Sequence, residues 1–174
     1  MNGGTMKKII VIGCPGSGKT TFSLALHEKT GIPLHHLDMM FWNADKTTVE
    51  KRVFLERLSR VLKTAAWILD GNYASTMEMR LSVCDTVFLL DYPTDVCLGG
   101  VKKRRGKARC DMPWIETEED TEFVKFITGF HEKVRPEILT LLDRYREKNI
   151  IVFKSREESS NFLKGEYKHG TFNG

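Results

Sequence analysis

Short apolar runs recur along this chain, and polar or turn-forming residues bound each of them. We predict five strands from these runs, at residues 7–12, 33–37, 65–69, 86–90 and 150–153. The clearest of them are continuous rather than alternating, which is typical of parallel strands covered on both faces. Three of the five runs lead directly into an aspartate, Asp38, Asp70 or Asp91, at what would be the carboxyl edge of a parallel sheet.

Helical periodicity fills the stretches between these runs. A helix is predicted from about Lys19 to Lys29, and Gly31 ends it. Residues 122–146 are expected to form one long amphipathic helix, kinked near Pro136 because proline removes an interior hydrogen bond. The same spacing of apolar positions predicts two further helices, at 48–63 and 157–163.

Strands that alternate with helices predict an α/β protein with a parallel sheet between two helical layers and right-handed crossovers. No internal repeat or linker interrupts the pattern, so we expect one domain over residues 7–165. A disordered N-terminus (1–6) and a flexible C-terminal tail (166–174) are expected to flank it.

The composition argues against a membrane protein and against a disulfide-bonded one. The chain has 174 residues, of which 41% are hydrophobic and 29% charged, and its net charge of +4 does not by itself indicate a polyanionic partner. The longest apolar run, 65–69, is far shorter than the ~20 residues of a membrane span. No signal segment precedes the first strand, so we expect a cytoplasmic protein, monomeric or homodimeric. The four cysteines form no CxxC pair and are expected to be reduced thiols: Cys14, Cys84, Cys97 and Cys110.

The turn after the first strand carries the strongest motif. Residues 13–20 match G-x-x-x-x-G-K-[ST] at every fixed position, between an apolar strand and a helix. Such a loop binds nucleotide phosphates through backbone N–H groups and the positive end of the helix. Lys19 is predicted to reach the β- and γ-phosphates, and the Thr20 hydroxyl to bind Mg²⁺. The predicted nucleotide-binding residues are Gly13, Pro15, Gly16, Ser17, Gly18, Lys19, Thr20 and Thr21.

Acidic residues at the strand ends are candidates for a second magnesium-side group. Asp70 is predicted to organise the metal shell, through water, or to receive the proton of an acceptor hydroxyl. Asp38, after the second strand, is a candidate for acceptor binding, with a structural role equally open. Asp91 precedes Tyr92-Pro93 and is expected to be structural.

Residues 102–109 contain six cationic residues in eight. Three interpretations are open: a lid whose arginines neutralise phosphate charge, a solvated surface, and a nucleic-acid patch. The central Gly106 favours a mobile lid over about 102–120. No aromatic residue interleaves with the cations, unlike a single-strand binding surface. Arg104, Arg105 and Arg109 are the arginines predicted to act in transfer.

These features together resemble the adenylate-kinase-like branch of P-loop phosphotransferases. A closer resemblance is to the bacterial DNA topology modulation (FlaR-related) proteins, over about residues 7–163. It rests on the segments 10–19, 36–38, 70–73, 104–107, 111–114 and 153–156. The resemblance implies a P-loop kinase core with strand order 2-3-1-4-5, ATP and Mg²⁺, and an effect on DNA supercoiling that does not require direct DNA contact.

The acceptor side departs from the adenylate kinases. Asp70-Gly71 is followed by Asn72-Tyr73 instead of a Pro-Arg pair, so AMP is not implied as acceptor. We expect an acceptor-side helical segment at about 38–64. Trp42 in this segment and Tyr73 are candidates to pack on a planar acceptor, and Arg80 is a candidate to hold an anionic group, with a surface role equally open. His35 and His36 are expected to be structural.

The sequence therefore predicts a Mg²⁺-dependent phosphotransferase that moves the γ-phosphoryl of ATP to a small acceptor, such as a nucleotide. Two alternatives stay open. One is a nucleotide-dependent regulator of DNA topology with weak or no kinase activity, and the other a small-metabolite kinase of the shikimate or gluconate type. Direct DNA binding is not favoured.

Overall fold

The structure is a computed structural model, and it describes residues 6–165. Of the N-terminus expected to be disordered (1–6), the structure describes only Met6, which is partly buried against the core. Residues 1–5 and the expected flexible tail at 166–174 lie outside the described residues. Five strands are present: β1 (Lys8–Gly13), β2 (Leu34–His36), β3 (Trp67–Asp70), β4 (Thr86–Leu90) and β5 (Asn149–Phe153). The helices are α1 (Lys19–Thr30), α2 (Leu37–Phe41), α3 (Lys51–Leu62), α4 (Ala74–Leu81), α5 (Thr94–Arg104), α6 (Thr121–Lys133), α7 (Arg135–Arg144) and α8 (Arg156–Lys164).

The strands form one parallel sheet in the order β2-β3-β1-β4-β5. β1 is central, and its residue Ile9 is in register with Ile68 of β3 and Thr86 of β4. This order confirms the predicted α/β fold and its 2-3-1-4-5 topology. It also places the carboxyl ends of β1, β2 and β3 side by side, where ligands bind in open α/β sheets.

The core lies on and around the sheet. The four apolar residues of β1 from Ile9 to Ile12 are fully buried. Phe22 of α1 packs edge-on against Phe88 of β4 at 5.0 Å between ring centroids, and Phe88 stacks with Phe153 of β5 at 5.8 Å. Each such buried side chain stabilises the fold by about 2 kcal/mol. The continuous apolar runs of the sequence are therefore explained by burial on both faces of the sheet.

The prediction of one long helix over 122–146 is wrong. Two helices, α6 and α7, meet at Val134, whose backbone (φ −101°, ψ −44°) ends the first and begins the second. Pro136 stands in the first turn of α7, where its missing N–H costs nothing, so the proline starts a new helix instead of kinking an old one.

The segment after β2 also differs from its predicted form. The acceptor-side segment expected to be helical over about 38–64 is two helices: Asp38 belongs to the short helix α2, residues 42–50 are not helical, and the amphipathic helix α3 begins at Lys51 instead of residue 48. Within residues 6–165, no helix has the length and apolar character needed to cross a membrane. The four cysteines are free thiols; Cys110 is exposed and the other three are buried.

Candidate active site

A cavity of about 1390 Å³ opens at the carboxyl edge of the sheet. The loop after β1 forms its floor, the ends of β2 and β3 form one wall, and the segment 102–120 covers the opposite side. The nucleotide-binding motif, both candidate acids Asp38 and Asp70, and the basic segment therefore face one space, as expected for a parallel sheet.

The loop over residues 13–18 has a backbone that only glycine adopts readily. Gly16 and Gly18 have φ values of 83° and 98°, and Gly18 immediately precedes α1. Ser17 N–H donates to the Cys14 carbonyl at 3.1 Å, which closes the turn. The first turn of α1 contains no acidic residue. The positive end of the helix thus faces the cavity without a competing carboxylate from its own first turn.

Helix α5 and the start of α8 hold this loop in place. A Cβ on Gly16 would lie 2.0 Å from the Cys97 carbonyl oxygen, and one on Gly100 would lie 2.0 Å from the Gly16 carbonyl oxygen. Arg156 Nη2 donates to that same Gly16 oxygen at 3.1 Å. The loop conformation is therefore determined by two distant helices as well as by its own glycines.

Lys19 lies at the centre of the loop. Its Nζ donates to the carbonyl oxygens of Gly13 (2.9 Å) and Cys14 (3.2 Å). Burial lowers the pKa of Lys19, and the negative charge of Asp70 opposes that shift. Asn72 fixes the start of the loop, because its side chain bonds both the N–H (3.1 Å) and the carbonyl (2.9 Å) of Gly13.

The Thr20 hydroxyl contacts two carboxylates. Its Oγ1 is 3.0 Å from Asp70 Oδ2 and 2.7 Å from Asp111 Oδ2. Asp70, at the end of β3, also accepts a bond from His36 Nδ1 at 3.0 Å. Burial alone would raise the pKa of Asp111, but hydrogen bonds from Arg109 and Thr20 outweigh it and hold that pKa below its ordinary value.

The arginines of the basic segment are bound to acids that follow them in the chain. Arg109 contacts Asp111 (2.6 Å) and Glu116 (2.8 Å), and Arg104 contacts Glu116 at 3.1 Å. Arg105 contacts Glu119 at 2.5 Å. The segment 102–120 is thus folded on itself by ion pairs.

Burial lowers the pKa of Arg104, whose guanidinium also lies 5.7 Å from the centre of the Phe123 ring. Arg109 behaves in the opposite way, because its hydrogen bond and charge interaction with Asp111 outweigh burial and raise its pKa. Arg104, Arg105 and Arg109 all line the cavity next to the P-loop. Their cationic groups therefore lie on the same cavity as Lys19 and Thr20.

The wall formed by β2, α2 and the turn after β3 holds the candidate acceptor residues. Tyr73 OH donates to Asp38 Oδ1 at 2.5 Å, and Trp42 packs edge-on against Trp114 with ring centroids 5.3 Å apart. Burial raises the pKa of Asp38, although the Tyr73 bond opposes that shift. A tryptophan from each side of the cavity thus closes this end.

Arg80 does not reach the cavity. Its side chain is fully buried, and its guanidinium donates to the carbonyl oxygens of Gly71, Asn72 and Tyr73 in the turn after β3. Burial lowers its pKa to about 9. This position contradicts the predicted role of Arg80 in holding an anionic group, because its donors face backbone oxygens and no part of it lines the cavity.

Sequence reasoning missed several residues that line the site. Asp111 reaches Thr20, Glu116 bridges two arginines, Asn72 fixes Gly13 and Arg156 holds Gly16. His36, expected to be structural, contacts Asp70. None of these has a local signal of its own, because each acts through partners that the fold brings to it. The motif segments 36–38, 70–73, 111–114 and 153–156 of the stated resemblance contained all of them except Glu116.

Solved structures share this fold. The chain superposes on a shikimate kinase from Bacteroides thetaiotaomicron with a TM-score of 0.59 at 21% identity, covering 92% of this chain and 96% of that one. A shikimate kinase from Acinetobacter baumannii in complex with shikimate gives 0.60 at 17% identity, covering 92% and 90%. A sugar kinase from Janibacter sp. HTCC2649 gives 0.57 at 16% identity, covering 92% of each chain.

No protein-family model matches the sequence, and no curated protein is significantly similar to it. At these identities the structural likeness shows the fold alone. This chain has a P-loop kinase fold.

Proposed function

We propose that this protein is a Mg²⁺-dependent phosphotransferase that moves the γ-phosphoryl group of ATP to a hydroxyl of a small acceptor. The observation that carries the proposal is the convergence of three kinds of group on one cavity. These are the P-loop with Lys19 and Thr20, the strand-end acid Asp70, and the arginines of the 102–120 segment. A phosphate-binding loop alone would serve nucleotide binding, whereas cations on both sides of the phosphates are what transfer requires.

The donor set fits magnesium. Thr20 and Asp70 offer hydroxyl and carboxylate oxygens 3.0 Å apart, and Mg²⁺ is a hard cation that prefers oxygen ligands. When bound, Mg²⁺ would neutralise charge on the β- and γ-phosphates. The loop amides and Lys19 would bind and orient the phosphates. Thr20 would hold the cation together with Asp70, which would act through water or directly.

The acceptor end favours a small hydroxylated metabolite over a nucleoside monophosphate. Asp38, bonded by Tyr73, would accept a hydrogen bond from an acceptor hydroxyl, and the raised pKa of this carboxyl suits proton exchange. Arg80, the one arginine of α4, is occupied by backbone oxygens. Trp42 and Trp114 would exclude water that otherwise competes as acceptor.

We also propose that this chain and the DNA topology modulation proteins are homologous, as the motif resemblance suggests.

We further propose that residues 102–120 act as a lid. Arg104, Arg105 and Arg109 line the cavity and pair with Glu116 and Glu119. A DNA surface would keep these cations exposed and unpaired. The pairing supports a lid that exchanges carboxylates for phosphate oxygens.

The test is ADP formation from ATP and Mg²⁺ against nucleoside monophosphates, nucleosides, sugars and hydroxylated acids. Wild type is compared with Lys19→Ala and, as a matched control, with Lys51→Ala on the exposed start of α3. We expect acceptor-dependent ADP formation that falls at least about 10²-fold in Lys19→Ala, since one preorganised charge is lost, and is unchanged in Lys51→Ala.

Two results would contradict this proposal. ADP formation at the same slow rate with every acceptor would remove the transferase function. DNA binding whose affinity falls steeply with salt, and which depends on Arg105, would favour the regulatory alternative.

A further inference from the structure

The side chain of Asp111 comes from the lid, yet it reaches the base of the P-loop. Its Oδ2 lies 2.7 Å from Thr20 Oγ1, and the carboxylate is almost fully buried, with 4% of the residue exposed. Asp70 Oδ2 lies 3.0 Å from the same hydroxyl on the side of the sheet. Two carboxylates from separate parts of the fold thus converge on the threonine of the nucleotide motif.

The Thr20 hydroxyl has one proton, so it donates to only one of the two carboxylates at a time. Asp70 Oδ2 also accepts from His36 Nδ1, and Asp111 Oδ2 also accepts from Arg109 Nη2, so each carboxylate keeps a donor of its own. A cation among the three oxygens would be bound by all of them, because hydroxyl and carboxylate oxygens are the ligands that Mg²⁺ prefers.

The set of oxygens suits a hard cation. Mg²⁺ binds oxygen ligands such as hydroxyls and carboxylates. The Asp70 and Asp111 oxygens lie 3.0 Å and 2.7 Å from Thr20 Oγ1, close enough for all three to reach one cation. The sequence motif around Thr20 independently indicates Mg²⁺ bound with nucleotide at this position.

We propose that Asp111 is a magnesium ligand supplied by the lid, which joins Thr20 and Asp70 around the cation of the bound nucleotide. This inference rests on the proposed function and deepens it. Arg109 contacts both oxygens of Asp111 and is itself held by Glu116, so the lid presents the carboxylate in a fixed orientation. Metal binding and lid docking are then coupled, because the cation would be bound by Asp111 of the lid together with Thr20 and Asp70 of the core.

The first experiment measures Mn²⁺ binding by electron paramagnetic resonance in the presence of a non-hydrolysable ATP analogue. Asp111→Asn keeps the shape of the side chain but removes its charge, and we expect it to weaken Mn²⁺ binding at least about 10-fold. Asp111→Glu should restore part of the affinity. Asp143→Asn removes an exposed charge from a part of the protein away from the cavity and should leave the affinity unchanged.

Equal or tighter Mn²⁺ binding by Asp111→Asn would overturn the inference, because the Asp111–Thr20 contact would then be a hydrogen bond that metal must displace. If wild type also forms ADP in an acceptor-dependent way, only this inference fails and the proposed function stands. If wild type binds no Mn²⁺ with the analogue, both fail.

A second measurement needs no variant. Trypsin cleaves after lysine and arginine, and residues 102–109 provide six such sites. With saturating ADP, cleavage there should be at least about 5-fold slower in Mg²⁺ than in EDTA, since the metal would hold the lid closed. Equal cleavage rates in Mg²⁺ and EDTA would overturn the inference.

Discussion

The ends of β3 and β4 look alike in sequence and differ in the folded protein. Each strand is a buried apolar run that leads into an aspartate, Asp70 or Asp91. Asp70 contacts Thr20 and His36 at the edge of the cavity. Asp91 is held by Arg135 of α7 (2.7 Å) and by Lys154 (2.5 Å) instead. The same local pattern thus puts Asp70 on the cavity, whereas Asp91 binds helix α7 through Arg135. The difference arises because the partners of each aspartate come from distant parts of the chain.

The largest effect that separates the two aspartates should be on catalysis. Asp70→Asn should lower kcat/KM about 10²- to 10³-fold, since it removes a charge that organises the metal and the transferring group. Its melting temperature should stay close to that of wild type. Steady-state kinetics and thermal unfolding of Asp70→Asn and Asp91→Asn measure both properties. A larger rate loss in Asp91→Asn than in Asp70→Asn would reverse the comparison.

Arg80 sharpens the comparison, because it supports the turn that follows Asp70. Arg80→Met should lower the free energy of unfolding by about 3 kcal/mol, since it leaves the buried carbonyls of Gly71, Asn72 and Tyr73 without donors. Urea unfolding measures this loss. Arg144→Met, which breaks the exposed pair with Glu78, is the matched control and should cost less than about 1 kcal/mol.

The same variants test the acceptor role that the sequence suggested for Arg80. A normal unfolding free energy together with a strongly raised KM for an anionic acceptor would restore that role. We expect the opposite result, a clear loss of stability.

Asp91 should contribute stability that depends on pH. Burial alone would raise its pKa, but hydrogen bonds from Arg135 and Lys154 hold that pKa below 3.8. Because the pKa is lower in the folded state, the contribution is complete above the unfolded value of about 3.9 and is lost as pH falls through the folded value. Asp91→Asn should therefore cost about 2 kcal/mol at neutral pH, with activity retained.

The stability difference between wild type and Asp91→Asn should narrow toward zero as the solution is acidified below pH 4. Denaturant unfolding at several pH values measures it. The exposed Asp143, changed to Asn, is the control and should show little difference at any pH. A difference that stays constant down to pH 2 would mean that the ion pairs of Asp91 do not stabilise the fold.

The central features of the fold were predictable because their signals are local. Continuous apolar runs marked β1 and β4, and the 13–20 motif marked the P-loop with Lys19 and Thr20. The break between α6 and α7 was not predicted, because an apolar periodicity continues across Pro136 and only the φ and ψ angles at Val134 separate the two helices.

The amino-acid sequence by itself determined the α/β class, the strand order implied by the family resemblance, and the nucleotide loop. These depend on periodicity and on a contiguous motif whose backbone conformation its own glycines permit. The tertiary structure alone decided which charged residues face the cavity. In the folded protein Asp111 contacts Thr20, Arg80 bonds the backbone of the turn after β3, and Asp91 pairs with Arg135. The physical reason is that a charged side chain takes the partner that compensates its loss of water, and packing of distant elements determines which partners are within reach.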